Sequence, residues 1–204
     1  GRMVAALDSG SNFDPITVKF ARLFGSLRDI VSGGMIIRNN EEYFNRIRHK
    51  LMNELFGGEV RLERNIEYIK SSDGRKIPFS ALSSGQQELM PIWLIVDYYV
   101  NQSPLRAKFP EIFYIEEPEA HLFPEAQGIL MNYLIGRLFS VRKKANLIIT
   151  THSPYVLSKL NNFIKAGRLS QKSDLRSAIS EVIPKECWIN NSDVNVYKIS
   201  DKIV

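Results

Sequence analysis

The run Ile112-Phe113-Tyr114-Ile115 ends in two adjacent carboxylates, Glu116 and Glu117, and the run Leu147-Ile148-Ile149 ends in Thr150-Thr151-His152. Short apolar runs of this kind read as buried strands, and the C-terminal ends of parallel strands are where open α/β sheets bind ligands. Consecutive strand residues face opposite ways, so the two acids are expected to do different jobs. One can hold a magnesium ion, directly or through water, while the next polarises a water for attack on a phosphoryl group. His152 is expected beside them, with its imidazole able to hydrogen-bond a phosphate or the attacking water. A third segment, Leu82-Ser83-Ser84-Gly85-Gln86-Gln87-Glu88, feeds a helix. Its free backbone N–H groups and the positive end of the helix dipole form an anion site, with Ser83 and Gln86 as side-chain donors and Gly85 allowing close backbone approach. Each segment also has a plainer reading: a solvated acidic strand end, a structural histidine, and a serine N-cap answered by a reaching Gln or Glu. His49 and His121 carry no such context and are assigned structural places.

These residues need elements to position them. Helical spacing begins after Asp14-Pro15, where Phe20, Leu23, Phe24, Leu27, Ile30 and Val31 share a stripe that ends at Ser32-Gly33-Gly34. Asn40 is the expected N-cap of a second helix, Glu41 to Phe56, with Phe44, Ile47, Leu51 and Leu55 on one face and Gly57-Gly58 as its stop. The period then shortens to two: Val60/Leu62 and Ile66/Tyr68 alternate with charges, and Ser71-Ser72-Asp73-Gly74 turns the chain into Arg75 to Phe79. This predicts an antiparallel ribbon. From there the pattern predicts a helix over 85–100, a strand over 112–115, a helix over 124–141, a strand over 147–150 and a helix over 154–165. Ser153-Pro154 supplies N-cap and N1 chemistry for the last. Strand-helix alternation implies an α/β fold with a mostly parallel sheet flanked by helices. A short helix over 175–182 and an edge strand over 194–199 complete the expectation.

Composition sets the frame. The chain has 204 residues, 44% hydrophobic and 24% charged, a net charge of +5 and one cysteine. Those values fit one ordinary globular domain and exclude a disulfide scaffold or a low-complexity chain. The longest apolar stretch, Leu89 to Val100, contains Pro91 and Asp97, well short of the roughly 18 uncharged residues of a membrane span. The N-terminus lacks the plan of a signal peptide, so a cytoplasmic setting is expected, with Cys187 as a packed thiol. The basic residues, including Arg38, Arg46, Arg61 and Arg142-Lys143-Lys144, are scattered rather than striped. They read as solvated faces before they read as a phosphate-tracking patch.

In order and in their strand-helix junctions, the three segments resemble the C-terminal half of an ABC-type ATPase head over roughly 79–159. Leu82 to Gln87 looks like the signature loop, Phe113 to Glu117 like the Walker B strand, and His152 like the switch histidine. The run Glu116-Glu117-Pro118-Glu119-Ala120-His121-Leu122 is most similar to the OLD-like and AAA-type stand-alone ATPases related to SMC heads. The resemblance implies a composite ATP site between two subunits packed head to tail. Ser83, Ser84, Gly85 and Gln86 would cap the γ-phosphate held by the partner. Glu116 would support Mg2+, Glu117 would be the catalytic glutamate, and His152 would sense the γ-phosphate. Phe123 stands where relatives often carry His or Asp, a departure in the loop that links subunits.

A phosphate loop of the form G-x-x-x-x-G-K-[ST] should precede these motifs, and the sequence contains no Gly-Lys pair. The expected layout is therefore a lead-in over 1–15, a helical or arm region over 16–58, and the C-terminal lobe of the head over 59–204, with the Walker A lobe elsewhere. The two N-terminal helices would then cover apolar surface that the absent lobe otherwise buries. The function implied is ATP hydrolysis at a dimer interface, coupled to a DNA-related or defence process, with ATP and Mg2+ as cofactors and this chain inactive alone. Its partners would be a second copy, an N-terminal ATPase lobe or DNA, and no membrane. The alternatives are a degenerate head kept for dimerisation or regulation without nucleotide, and a nucleic-acid-binding α/β module whose binding would fall steeply with salt.

Overall fold

A computed structural model describes residues 14–32, 42–63, 66–101, 111–141 and 145–199. The lead-in over 1–13, the Gly33-Gly34 stop and the Asn40 cap lie outside these residues. So do the side chains of Ile30, Val31, Phe44, Ile47 and Leu62.

Helix α1 (Pro15–Ser32) starts as the sequence dictates: Pro15 takes the first helical position and Asp14 caps it, its Oδ2 accepting from Thr17 N at 2.9 Å. Helix α2 (Glu42–Phe56) stops at Gly57, whose φ of 73° is the left-handed conformation of a helix C-terminus and whose N–H bonds Asn53 O at 3.0 Å. The antiparallel ribbon follows as β1 (Glu59–Glu63), β2 (Ile66–Lys70) and β3 (Lys76–Pro78). Val60 faces Ile69, and Ile69 faces Ile77. Tyr68 and Ile69 are both buried, on opposite parities of β2, so of the expected pair Tyr68 is covered while Ile66 is exposed.

Helix α3 (Ser84–Asn101) carries Pro91 within it and buries Leu89, Met90, Trp93, Leu94, Val96 and Val100. Helix α4 (Pro124–Val141) answers with Leu130, Met131, Tyr133, Leu134 and Leu138. Asp97, which breaks the apolar run in the sequence, is buried opposite Arg137 of α4, whose guanidinium donates to it at 3.3 Å. Burying this charge is tolerated because it is paired. α1 packs on α3 and β1, and α2 on α4 and β1, so both join the same apolar cluster.

Strands β4 (Glu111–Glu116) and β5 (Ala145–Thr150) pair in parallel, with Phe113 beside Leu147 and Glu116 beside Thr150. The α/β class expected from the alternation is the one observed. Phe113, Ile115, Leu147 and Ile149 pack toward the core, while Ile112 (68% exposed), Tyr114 (61%) and Ile148 (49%) open outward. The N-terminal helices pack on the helical layer and β1, and no element among the described residues covers this outer face of the sheet. Helix α5 (Pro154–Leu169) lies against α4, and α6 (Arg176–Val182) is the expected short helix. The edge strand expected over 194–199 does not form: its alternation is present, but no strand among the described residues pairs with it, and Tyr197 and Ile199 are exposed. Cys187 is buried, as a packed thiol should be, and burial pushes its pKa up to about 12, with the charge of Glu186 adding to the rise.

Candidate functional site

The two parallel strands deliver their ends to one edge. Glu116 is the last residue of β4 and has the outward parity of Ile112 and Tyr114. The next residue leaves the strand: Glu117 has φ 42°, a left-handed conformation that costs a non-glycine residue about 1 kcal/mol or more. Two bonds from its amide offset that cost, to Thr150 O at 3.0 Å and to Thr150 Oγ1 at 3.3 Å. The reversal turns Glu117 away from the line of Glu116. The two adjacent acids therefore occupy different positions, as the strand argument requires, through a left-handed turn rather than through strand alternation alone.

The structure brings Glu117 and His152 together. Nε2 of His152 lies 3.5 Å from Oε1 of Glu117, both at the solvent edge. Behind them runs a chain of bonds between the turn after β4 and the loop after β5. Glu119 Oε1 accepts from Thr151 Oγ1 and from His152 N at 3.0 Å, and Ser153 N donates to Thr151 Oγ1 at 3.0 Å. Ser153 caps α5, its Oγ accepting from Tyr155 N at 3.1 Å and Val156 N at 3.3 Å while donating to Gln127 Oε1. Gln127 Nε2 closes the circuit by donating to Leu122 O at 3.0 Å. The Ser153 cap was legible from Ser-Pro. Glu119, Thr151 and Gln127 carried no such signal, because their partners lie far away in sequence.

The segment 82–88 forms a separate cluster at the start of α3. Gln86 N donates to Ser83 Oγ at 3.3 Å, and Ser83 N donates to Gln86 Oε1 at 3.2 Å, a reciprocal cap. Gln86 Nε2 reaches Leu55 O of α2 at 3.3 Å, and the side chains of Ser83 and Ser84 face solvent. A Cβ on Gly85 would stand 2.6 Å from His121 O and 2.9 Å from Leu122 Cδ2, so glycine is required here to seat the turn after β4 against the helix. His121 adds a second link, its Nδ1 lying 2.9 Å from Glu88 Oε1 of α3. No hydrogen bond or ion pair among the described residues joins Ser83, Ser84, Gly85 or Gln86 directly to Glu116, Glu117 or His152. The turn 118–122 stands between the two clusters and touches both.

No group of three or more His, Cys, Asp or Glu residues among those described is arranged to hold a metal by itself. Magnesium at nucleotide sites needs only one or two carboxylates, the rest of its shell being phosphate and water. Two exposed carboxylates at this edge fit that demand.

A helix-backed parallel pair of strands, with Glu117 and His152 in contact at its C-terminal edge, makes this an α/β domain. Over residues 10–157 the chain matches the family described as the AAA ATPase domain, and it belongs to that family. A solved structure from work on the structural biochemistry of ATP-driven dimerization and DNA stimulated activation of SMC ATPases is similar to it. The TM-score is 0.42 and the identity 16%, over 69% of this chain and 75% of that one. No curated protein matches the chain. No helix among the described residues is long and apolar enough to cross a membrane.

Proposed function

We propose that this chain is the C-terminal lobe of an OLD-like, ABC-type ATPase head, whose composite site forms when a second head and a phosphate-loop lobe are in place. The observation that carries this reading is the 3.5 Å approach of His152 to Glu117 at the C-terminal edge of the β4–β5 pair, in a chain of the AAA ATPase family. Glu117 takes the role of general base: its carboxylate orients a water and accepts the proton as that water attacks the γ-phosphorus, while the bond from that phosphorus to the β,γ-bridging oxygen breaks and its electron pair leaves with ADP. His152 donates a hydrogen bond to a γ-phosphate oxygen and, through its contact with Glu117, reports whether that oxygen is present. Glu116 would hold Mg2+, which when bound would supply charge screening for the phosphates. Ser83, Ser84, Gly85 and Gln86 serve the partner's nucleotide, the serine hydroxyls and the amides of α3 facing its phosphate oxygens.

Two further observations support the incomplete-site part of this reading. The outer face of β4–β5 presents Ile112, Tyr114 and Ile148 to solvent, whereas parallel sheets are normally covered on both faces. The phosphate-loop lobe is the proposed cover. The sequence also holds no Gly-Lys pair to grip the β- and γ-phosphates.

ATP turnover measured with and without the phosphate-loop lobe tests the proposal. The 204-residue chain alone is expected to be inactive, and the assembled protein to lose about 100-fold or more in kcat on Glu117→Gln, the scale of a lost general base. Turnover by this chain alone that Glu117→Gln removes would overturn the absent-lobe reading. An assembled ATPase indifferent to Glu117→Gln would overturn the catalytic assignment.

A further inference from the structure

His152 is exposed, and apart from Glu117 no side chain among the described residues is hydrogen-bonded or ion-paired to its ring. Its position must therefore come from its backbone. That backbone is held by Glu119, which is only 8% exposed and receives both the His152 amide and the Thr151 hydroxyl on one oxygen. The other oxygen, Oε2, is buried with no partner among the described residues. Such an oxygen is unfavourable for folding, and a well-packed apolar side chain at this depth would serve stability as well or better. A carboxylate does what no apolar residue can: it draws two donors of the β5 loop onto the turn that begins at Glu117.

We infer that Glu119 is a positioning residue, a buried acceptor that fixes the loop 151–153 to the turn after β4 and so sets the His152–Glu117 contact. Thr151 is its second half, since its hydroxyl donates to Glu119 and accepts from Ser153 N at 3.0 Å, joining the clamp to the cap of α5. The clamp itself is a property of the folded chain. Its consequence for phosphate sensing rests on the function proposed above.

The test uses the isotope-labelled 204-residue chain with no nucleotide, following amide exchange at His152 and the nuclear Overhauser contact between its ring and the Glu117 side chain. Glu119→Ala is expected to speed His152 exchange about tenfold, the scale of one lost hydrogen bond to a charged acceptor, and to abolish the ring contact. Glu119→Gln keeps an acceptor in place and is expected to preserve both signals. Thr151→Val should loosen the loop and Thr151→Ser restore it, and this pair decides the matter if Glu119→Ala does not fold. A folded Glu119→Ala chain with unchanged exchange and ring contact, or a Glu119→Gln chain as loose as Glu119→Ala, would overturn the inference. Because no ATP enters the measurement, a failure of the ATPase reading would leave these outcomes untouched.

Discussion

Two polar clusters among the described residues, at the start of α3 and at the strand edge, are held in different ways. At the start of α3 the cap itself is made by sequence neighbours: Ser83 and Gln86 cap each other, and Gln87 Nε2 returns to Leu82 O at 2.9 Å, with Gln86 Nε2 to Leu55 O as a longer-range tie. At the strand edge the partners are distant, Glu119 with Thr151 and His152, and Gln127 with Ser153. The first cluster is a helix cap that any chain with this local sequence can form, and it leaves Ser83 and Ser84 in solvent. The second exists only once Glu116 and Thr150 stand in register, and its Glu119 and Ser153 are buried while Thr151 is half-buried. Local clusters can open for a ligand at little cost to the fold, whereas the strand-edge cluster is part of the fold.

The contact between the two clusters gives the largest expected effect. Gly85 lies under the turn, and Ala there would press its Cβ to 2.6 Å from the backbone oxygen of His121, whose ring is held by Glu88. Gly→Ala within a helix normally gains up to about 1 kcal/mol, but the displacement of backbone should outweigh that gain and leave Gly85→Ala about 1–3 kcal/mol less stable. Gly128 in α4 has open space around its missing Cβ, so Gly128→Ala should be stabilising by about 0.5–1 kcal/mol. Urea unfolding of both variants checks the pair. A stabilised Gly85→Ala would mean that the turn is not seated on α3.

The second expectation separates the two serine caps. Ser153→Ala removes a buried hydroxyl that serves two amides and leaves Gln127 Oε1 without its donor, a loss of about 2 kcal/mol. Ser83→Ala removes an exposed cap that serves a single amide, that of Gln86, a loss nearer 0.5–1 kcal/mol. Equal losses in denaturant titrations would erase the distinction between a local and an embedded cap.

The same distinction governs what could be read from the sequence. Helix starts at Pro15 and Pro154, the stop at Gly57 and the ribbon turn at Gly74 were legible because each is written in residues a few positions apart. The Glu117–His152 meeting was expected from two strand ends, since parallel strands bring their C-termini to one side. Glu119 was not, because a carboxylate in a turn looks solvated until the loop of another strand closes over it. His121 likewise showed no context, and its pairing with Glu88 depends on how α3 lies beside the turn. The alternation over 194–199 misled for the converse reason. A strand pattern describes a side-chain rhythm, and it becomes a strand only when another backbone supplies the ladder.

The smallest effect belongs to the most local cluster of all, the ribbon turn. Asp73 accepts from Ser71 Oγ, from Arg75 N at 3.1 Å and from Arg75 Nε at 2.6 Å, all within exposed turn residues. The Ser71 hydroxyl first, then the Arg75 amide and guanidinium, lower its pKa from 3.8 to about 2. A carboxylate whose folded pKa is depressed adds stability that is full above the unfolded value and fades as pH falls through the folded one. The advantage of wild type over Asp73→Asn should therefore be constant from neutral pH to about 4 and disappear toward pH 2, read as a convergence of melting temperatures. Carbon-detected titration of the Asp73 carboxyl should show a midpoint near 2 that moves toward 3.8 in Ser71→Ala, while the strand-edge contact of His152 with Glu117 stays unchanged. A shift of that contact on Ser71→Ala would show that the ribbon turn is coupled to the strand edge after all, and that no cluster in this protein is purely local.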